Sequence, residues 1–291
     1  MKYSKKKIAV MGLVFLNFVI GGLIYLKTRE INRNKSKLLP LPPGPPLRLS
    51  MQIKKRKKQL EEKFGEDFSY YLSPPFIITG DIRYEELKYL AENYVLKPAQ
   101  IMWRNYFSSK PDRVLTIILL YGQKSYRKWS KSLFGHENVA YFGYHTRGNN
   151  TLIMDITTGS GTLIHELTHA LIIFDFPEVS DWFNEGLASL HEACTVEMNT
   201  LKAMVNWRLP LLQKSIRKKK LRPLKDLMTK DDFYKNMKSR NYAQARYFIM
   251  FIQKQGYLKK IYHELVENWQ RNSEKRLSDD KVVEKCFGKS L

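Results

Sequence analysis

Apolar residues recur along this chain in three patterns: one long unbroken run, short runs of strand length, and stretches with a helical spacing of three to four. The unbroken run comes first. Ile8 to Leu26 is nineteen positions without a charge, interrupted only by Asn17 and three glycines. As a helix it would span roughly 28 Å, the thickness of a bilayer's hydrocarbon. Tyr25-Leu26-Lys27-Thr28-Arg29 follows without a small-residue cleavage site, which favours an uncleaved membrane anchor over a signal peptide. Cations flank both ends, Lys2 and Lys5 to Lys7 before it and Lys27, Arg29, Arg33, Lys35 and Lys37 after it. The positive-inside rule is therefore divided. A short tail retained inside would put the rest of the chain on the extracytoplasmic side.

Residues 1–37 thus form a tail and anchor, and 38–74 a spacer. Pro40-Leu41-Pro42-Pro43-Gly44-Pro45-Pro46 must be extended and semi-rigid. Ser50 is placed to cap a helix running through Lys54-Lys55-Arg56-Lys57-Lys58 to Phe64. That basic face suits either anionic lipid head groups or plain water. A folded domain is expected over 75–272. Phe76–Thr79 and Val114–Tyr121 read as strands, Tyr84–Val95 and Ser125–Leu133 as helices. Val139–His145 and Thr151–Thr157 are strand-like runs around Arg147-Gly148-Asn149-Asn150, a hairpin signal. Leu201–Arg217 reads as mostly helical with a break at Pro210, and Tyr242–Gln255 and Tyr257–Gln270 as helices joined at Gly256. The polar stretch 273–291 reads as a peripheral tail. Strands early and helices late describe an α+β domain.

Charge changes the picture modestly. The formal net charge is +22, from 50 Lys and Arg against 28 Asp and Glu. Such a chain is drawn to anionic surfaces. No nucleic-acid-reading motif accompanies the charge, so no specific nucleic-acid partner is expected. The two cysteines, Cys194 and Cys286, form no C-x-x-C pair, which removes support for a redox couple or a thiolate zinc site. Cys194 is read as a free core thiol on the helix that follows Glu185.

The chemistry concentrates in His165-Glu166-Leu167-Thr168-His169. Histidines four apart on a helix lie about 40° apart on one face, close enough to share a metal ion. Glu166 then points at a water on the open side. Leu163, Ile164, Leu167 and Ala170 to Phe174 make the helix apolar nearly all round, so its polar groups need partners. Beyond Phe176-Pro177 comes Asp181-Trp182-Phe183-Asn184-Glu185-Gly186-Leu187-Ala188, a second helix with Asp181 placed to cap it. Glu185 follows His169 by sixteen positions, enough to turn and return antiparallel. Two His and one Glu with a vacant fourth position make a catalytic zinc site, one Zn2+ per chain, rather than a closed structural one. His191 lies about 240° round from Glu185 and faces away. His136 and His145 are read as surface or core residues.

These residues resemble the gluzincin metallopeptidases, specifically the peptidase MA-like domains. His165, Glu166, His169 and the Asn184-Glu185-Gly186-Leu187-Ala188 run carry the likeness, with Asn241-Tyr242-Ala243-Gln244 as a weaker third match. The resemblance spans residues 75 to 270. It implies a zincin-like fold, in which an edge strand before the metal helix pairs with extended substrate, and it puts Tyr242 in the place of the oxyanion-stabilising tyrosine. Asn184 becomes a supporting residue beside the ligands. Relatives carry an acidic residue four positions after the glutamate ligand. Ser189 stands there in this chain, and Glu192, one turn further on, is the substitute. No Gly-x-Met-Glu-Asn segment is present, which favours an endopeptidase over an aminopeptidase. The expected reaction is hydrolysis of a peptide or protein substrate, with Glu166 as general base and Tyr242 as oxyanion donor. The rival reading is a non-catalytic, membrane-tethered basic domain that binds an anionic partner.

Overall fold

The structure, a computed structural model, describes residues 47–136, 143–146 and 148–290. The expected anchor over 8–26, the proline-rich stretch 40–46 and part of the 139–145 run lie outside the described residues. Among those described, no helix is long and apolar enough to cross a membrane.

The described chain opens with α1 (Leu47–Phe64) and then β1 (Ser69–Ser73) and β2 (Phe76–Gly80). A helix, α2 (Tyr84–Leu90), passes through a wide turn at Ala91–Leu96 into α3 (Lys97–Asn105). The wide turn sits just before Pro98, whose ring and missing N–H cannot continue a regular ladder. The expected helix over 84–95 thus runs on through this turn to Asn105. Next come β3 (Leu115–Leu120), α4 (Gln123–Phe134), β4 (Gly143–Thr146) and β5 (Thr151–Asp155). The helix that carries His165 and His169, α5 (Ser160–Ile172), is followed by α6 (Asp181–Glu192). A hairpin of β6 (Cys194–Glu197) and β7 (Thr200–Ala203) leads to α7 (Leu209–Arg217) and α8 (Leu224–Thr229). Three helices end the chain: α9 (Lys238–Lys254), α10 (Leu258–Gln270) and α11 (Asp279–Phe287).

The five-stranded sheet runs β1-β2-β3-β5-β4. β2, β3 and β5 are parallel, and the outer pairs β1/β2 and β4/β5 are antiparallel. Parallel strands covered on both faces need apolar residues at every position, and Leu115-Thr116-Ile117-Ile118-Leu119-Leu120 is buried throughout. Side chains alternate between the two faces. Ile77, Ile118, Leu120 and Ile153 meet α1 and Tyr126 on one side, while Ile78, Ile117, Leu119 and Leu152 enter the larger core with α5 and α6 on the other.

The folded part extends beyond the expected 75–272 at both ends. α1 buries Leu49, Ile53, Leu60 and Phe64, each side chain contributing about 1.5–3 kcal/mol relative to exposure. Arg56 turns inward to donate to Thr116 Oγ1 (3.1 Å) and Thr151 Oγ1 (3.3 Å). Most of residues 47–74, expected as spacer, thus cover one face of the sheet. At the other end α11 buries Val282, Val283 and Cys286, so 273–291 is no loose tail. Its Asp279 accepts from Ser180 Oγ (2.5 Å) and Trp182 Nε1 (2.7 Å), which pins the start of α6.

Two local expectations also differ. Leu201–Arg217 is not mostly helical with a break at Pro210: Leu201–Ala203 belongs to β7, and Pro210 stands in the first turn of α7, where its missing N–H costs nothing. Met198 and Asn199, both at positive φ (44° and 59°), form the tight turn between β6 and β7. Two positive φ values suit the right-handed twist of a hairpin. Cys194 accordingly lies at the start of β6 rather than on a helix; it and Cys286 are both free thiols.

Candidate metal centre

Three segments build the site. Gly159, at φ 103°, turns the chain from the short helical turn after β5 into α5, a conformation other residues rarely adopt. Gly159, not Ser160 or Thr162, holds the capping position. Gly161 lets the start of α5 approach the end of α6, where a Cβ would strike the Glu192 carbonyl oxygen. α6 begins after Ser180, with Asp181 inside its first turn, favourable to the helix dipole but not the cap. Asp175 fixes the connection between them by accepting from Ser108 N (3.1 Å), Ser109 N (2.7 Å) and Tyr262 Oη (2.6 Å).

α5 and α6 bring the three expected donors together. His165 Nε2 and His169 Nε2 are 3.1 Å apart, and each is 3.5 Å from Glu185 Oε2. Tetrahedral coordination with bonds of ~2.0–2.1 Å separates neighbouring donors by ~3.3 Å, so the triangle has the right size for one small divalent ion. Glu185 is buried at 6 % exposure, and its Oε2 has no hydrogen-bond partner among the described residues. An orphaned buried carboxylate oxygen facing two imidazole nitrogens fits a cation. These three residues could hold a metal ion.

The electrostatics agree. Burial alone would raise the Glu185 carboxyl, but the two imidazoles beside it outweigh that and hold it far below the usual range. Burial likewise disfavours charge on His169, yet Glu185 wins and pushes that imidazole up to about 9. The centre therefore calls for positive charge, from a proton or from a metal. Burial pushes the neighbouring Glu166 carboxyl up, against the pull of His165 and His169.

The expected supporting residues stand close by. His169 Nδ1 lies 2.8 Å from Asn184 Oδ1. Glu192 Oε2 is 4.0 Å from His165 Nδ1 and is ion-paired with Arg208. Ser189 is fully buried. Tyr242 is half-buried against Phe233 and Tyr234, and burial together with Glu185 and Glu166 pushes its hydroxyl up. His191 is buried on the far side with its Nδ1 3.0 Å from Thr168 Oγ1, and His136 bonds Tyr144 Oη at 2.9 Å. His145 is partly buried with its Nε2 3.4 Å from Asn150 Oδ1.

Two residues at the site escaped the sequence reading. Tyr234 donates to Glu185 Oε1 at 2.7 Å, and Arg208 lies over both the Trp207 ring (4.1 Å) and the Tyr242 ring (5.6 Å). Tyr234 sits in a turn-rich stretch before α9, with no periodicity to mark it. Arg208 likewise belongs to no motif, and only the fold brings it to Glu192.

β4 stands at the edge of the sheet and packs against α5. Among the described residues it pairs only with β5, from Gly143↔Met154 to Thr146↔Thr151. Comparison with protein-family models and with curated proteins finds no match, so the case for the site is its geometry.

Proposed function

We propose that this chain is a zinc-dependent metallopeptidase of the gluzincin type, an endopeptidase with a zincin-like domain held at a membrane by residues 8–26. The observation that carries the reading is the triangle of His165 Nε2, His169 Nε2 and Glu185 Oε2, with sides of 3.1, 3.5 and 3.5 Å, beside the carboxylate of Glu166. Oxygen and imidazole donors without thiolate suit Zn2+ in a catalytic setting. When bound, zinc supplies Lewis acidity, acidifying a water and polarising a carbonyl oxygen.

The chain's own groups do the rest. His165, His169 and Glu185 hold the ion, and Asn184 and Glu192 orient the imidazoles. Glu166 takes the proton of the attacking water and returns it to the leaving amine. Tyr242 donates a hydrogen bond to the oxygen on which charge develops, worth on the order of 10²-fold. An extended substrate adds to the edge of β4, which presents its backbone groups beside α5.

The test is hydrolysis of casein or a peptide library with and without chelator, for the full chain and for Glu166→Gln. Chelation should abolish activity, and Glu166→Gln should keep its zinc while losing at least about a hundredfold in turnover. Full turnover by Glu166→Gln would reject the mechanism, and a zinc-loaded native chain without hydrolysis would favour a binding domain.

A further inference from the structure

From Met198 to Lys225 the chain has no acidic residue and nine Lys or Arg. Three of the nine are neutralised: Lys202 by Glu197, Arg208 by Glu192 and Arg222 by Asp232. Lys214, Arg217, Lys218, Lys219 and Lys220 are exposed, and none has an ion-pair partner among the described residues. Within the eighteen residues from Met204 to Leu221, five large apolar side chains are also exposed: Met204, Val205, Trp207, Ile216 and Leu221. Trp207 is 69 % exposed and Val205 62 %. Single exposed hydrophobes are ordinary, but five interspersed with five unpaired cations are not.

We propose that Met204–Leu221 docks on an anionic lipid surface. Trp207, Val205 and their apolar neighbours enter the head-group region, where an indole is well placed with one wet edge. Lys214, Arg217 and Lys218 to Lys220 meet the lipid charge. A dissolved acidic polymer would satisfy the cations but leave the apolar side chains in water, whereas a bilayer interface accommodates both. The basic helix α1 is a poorer candidate: Arg56 is turned inward, and Lys57 and Lys58 face Glu61 and Glu62. This docking goes beyond the peptidase reading and does not depend on it. Its consequence concerns access, because the segment begins at the rim of the metal centre. Trp207 Nε1 reaches Glu192 Oε1 at 3.4 Å, and the Arg208 guanidinium lies over Tyr242. Docking there would present the site to polypeptide close to the bilayer.

The experiment uses the full chain reconstituted into phosphatidylcholine vesicles with and without phosphatidylserine. Brominated lipid serves as quencher, and the Trp207 signal is taken as the difference between the native chain and Trp207→Phe. Any insertion by the N-terminal segment is common to both and cancels. The Trp207 emission should shift to the blue and be quenched only where phosphatidylserine is present. In the variant Lys214→Gln/Arg217→Gln/Lys218→Gln/Lys219→Gln the effect should vanish, each cation being worth roughly fivefold in affinity. These residues are exposed, so circular dichroism should show an intact fold. Equal quenching in neutral vesicles, quenching that persists in the variant, or a response to dissolved polyglutamate and not to vesicles would each overturn the proposal.

Discussion

Asn184 Oδ1 lies 2.8 Å from His169 Nδ1, across the gap between α5 and α6. A carbonyl oxygen only accepts, so Nδ1 keeps its proton, and it is from Nε2 that a proton must leave before that nitrogen can offer a lone pair to a cation beside Glu185. The first residue of the Asn184-Glu185 pair thus sets the tautomer of one proposed ligand, and the second would supply another. Replacing Asn184 by Ala should weaken zinc binding about 10–100-fold while leaving the fold intact. Competition with a chromophoric chelator measures this, and unchanged affinity would show that the hydrogen bond does not orient the ligand.

His169 is pushed up to about 9 by the Glu185 carboxylate. Below that pH the imidazole carries a proton that an incoming cation must displace. Zinc affinity should therefore climb with pH, by up to about tenfold per pH unit for one released proton, and level off once His169 is already neutral. Calorimetry at pH 7 in buffers of different ionisation enthalpy should report release of about one proton. Uptake of a proton, or an affinity that falls between pH 6 and 8, would contradict the sign.

The two tyrosines should separate by readout. Tyr234 donates to the carboxylate of Glu185, so Tyr234→Phe should loosen that proposed ligand and lower zinc affinity roughly 10–150-fold, the equivalent of the roughly 1.5–3 kcal/mol of a hydrogen bond to a charged group. Tyr242→Phe should lower kcat about a hundredfold even when the chain is saturated with zinc. Parallel metal titrations and peptide kinetics distinguish them. A Tyr242→Phe chain with undiminished kcat would remove that residue from the catalytic set.

What was legible in the sequence follows from how far each interaction reaches along the chain. His165 and His169 are fixed relative to each other by the helix itself, and Asn184 and Glu185 by one turn and a second helix. All four were readable. So was β3, because a strand buried on both faces is apolar almost throughout, here interrupted only by Thr116. The hairpin at Met198-Asn199 was hidden because Met198 is not a usual turn former, a lone Asn is a weak signal, and each strand has only four residues. Tyr234 and Arg208 reach the site through tertiary packing, 49 and 16 positions from the carboxylates they bind, with no local pattern to announce them. α11 looked peripheral because its apolar residues are few. Besides burying Val282, Val283 and Cys286, it supplies one carboxylate, Asp279, which holds Ser180 and Trp182 at the head of α6.

The central claim is that His165, His169 and Glu185 clasp one zinc ion and leave it a vacant corner. X-ray absorption at the zinc edge on the full-length chain tests it most directly. The account predicts one zinc per chain with two imidazole nitrogens and one carboxylate oxygen at ~2.0–2.1 Å, plus one exchangeable oxygen ligand. A chain that binds no zinc, or whose zinc is closed off by a fourth protein ligand or held by thiolate sulfur at ~2.3 Å, would contradict it.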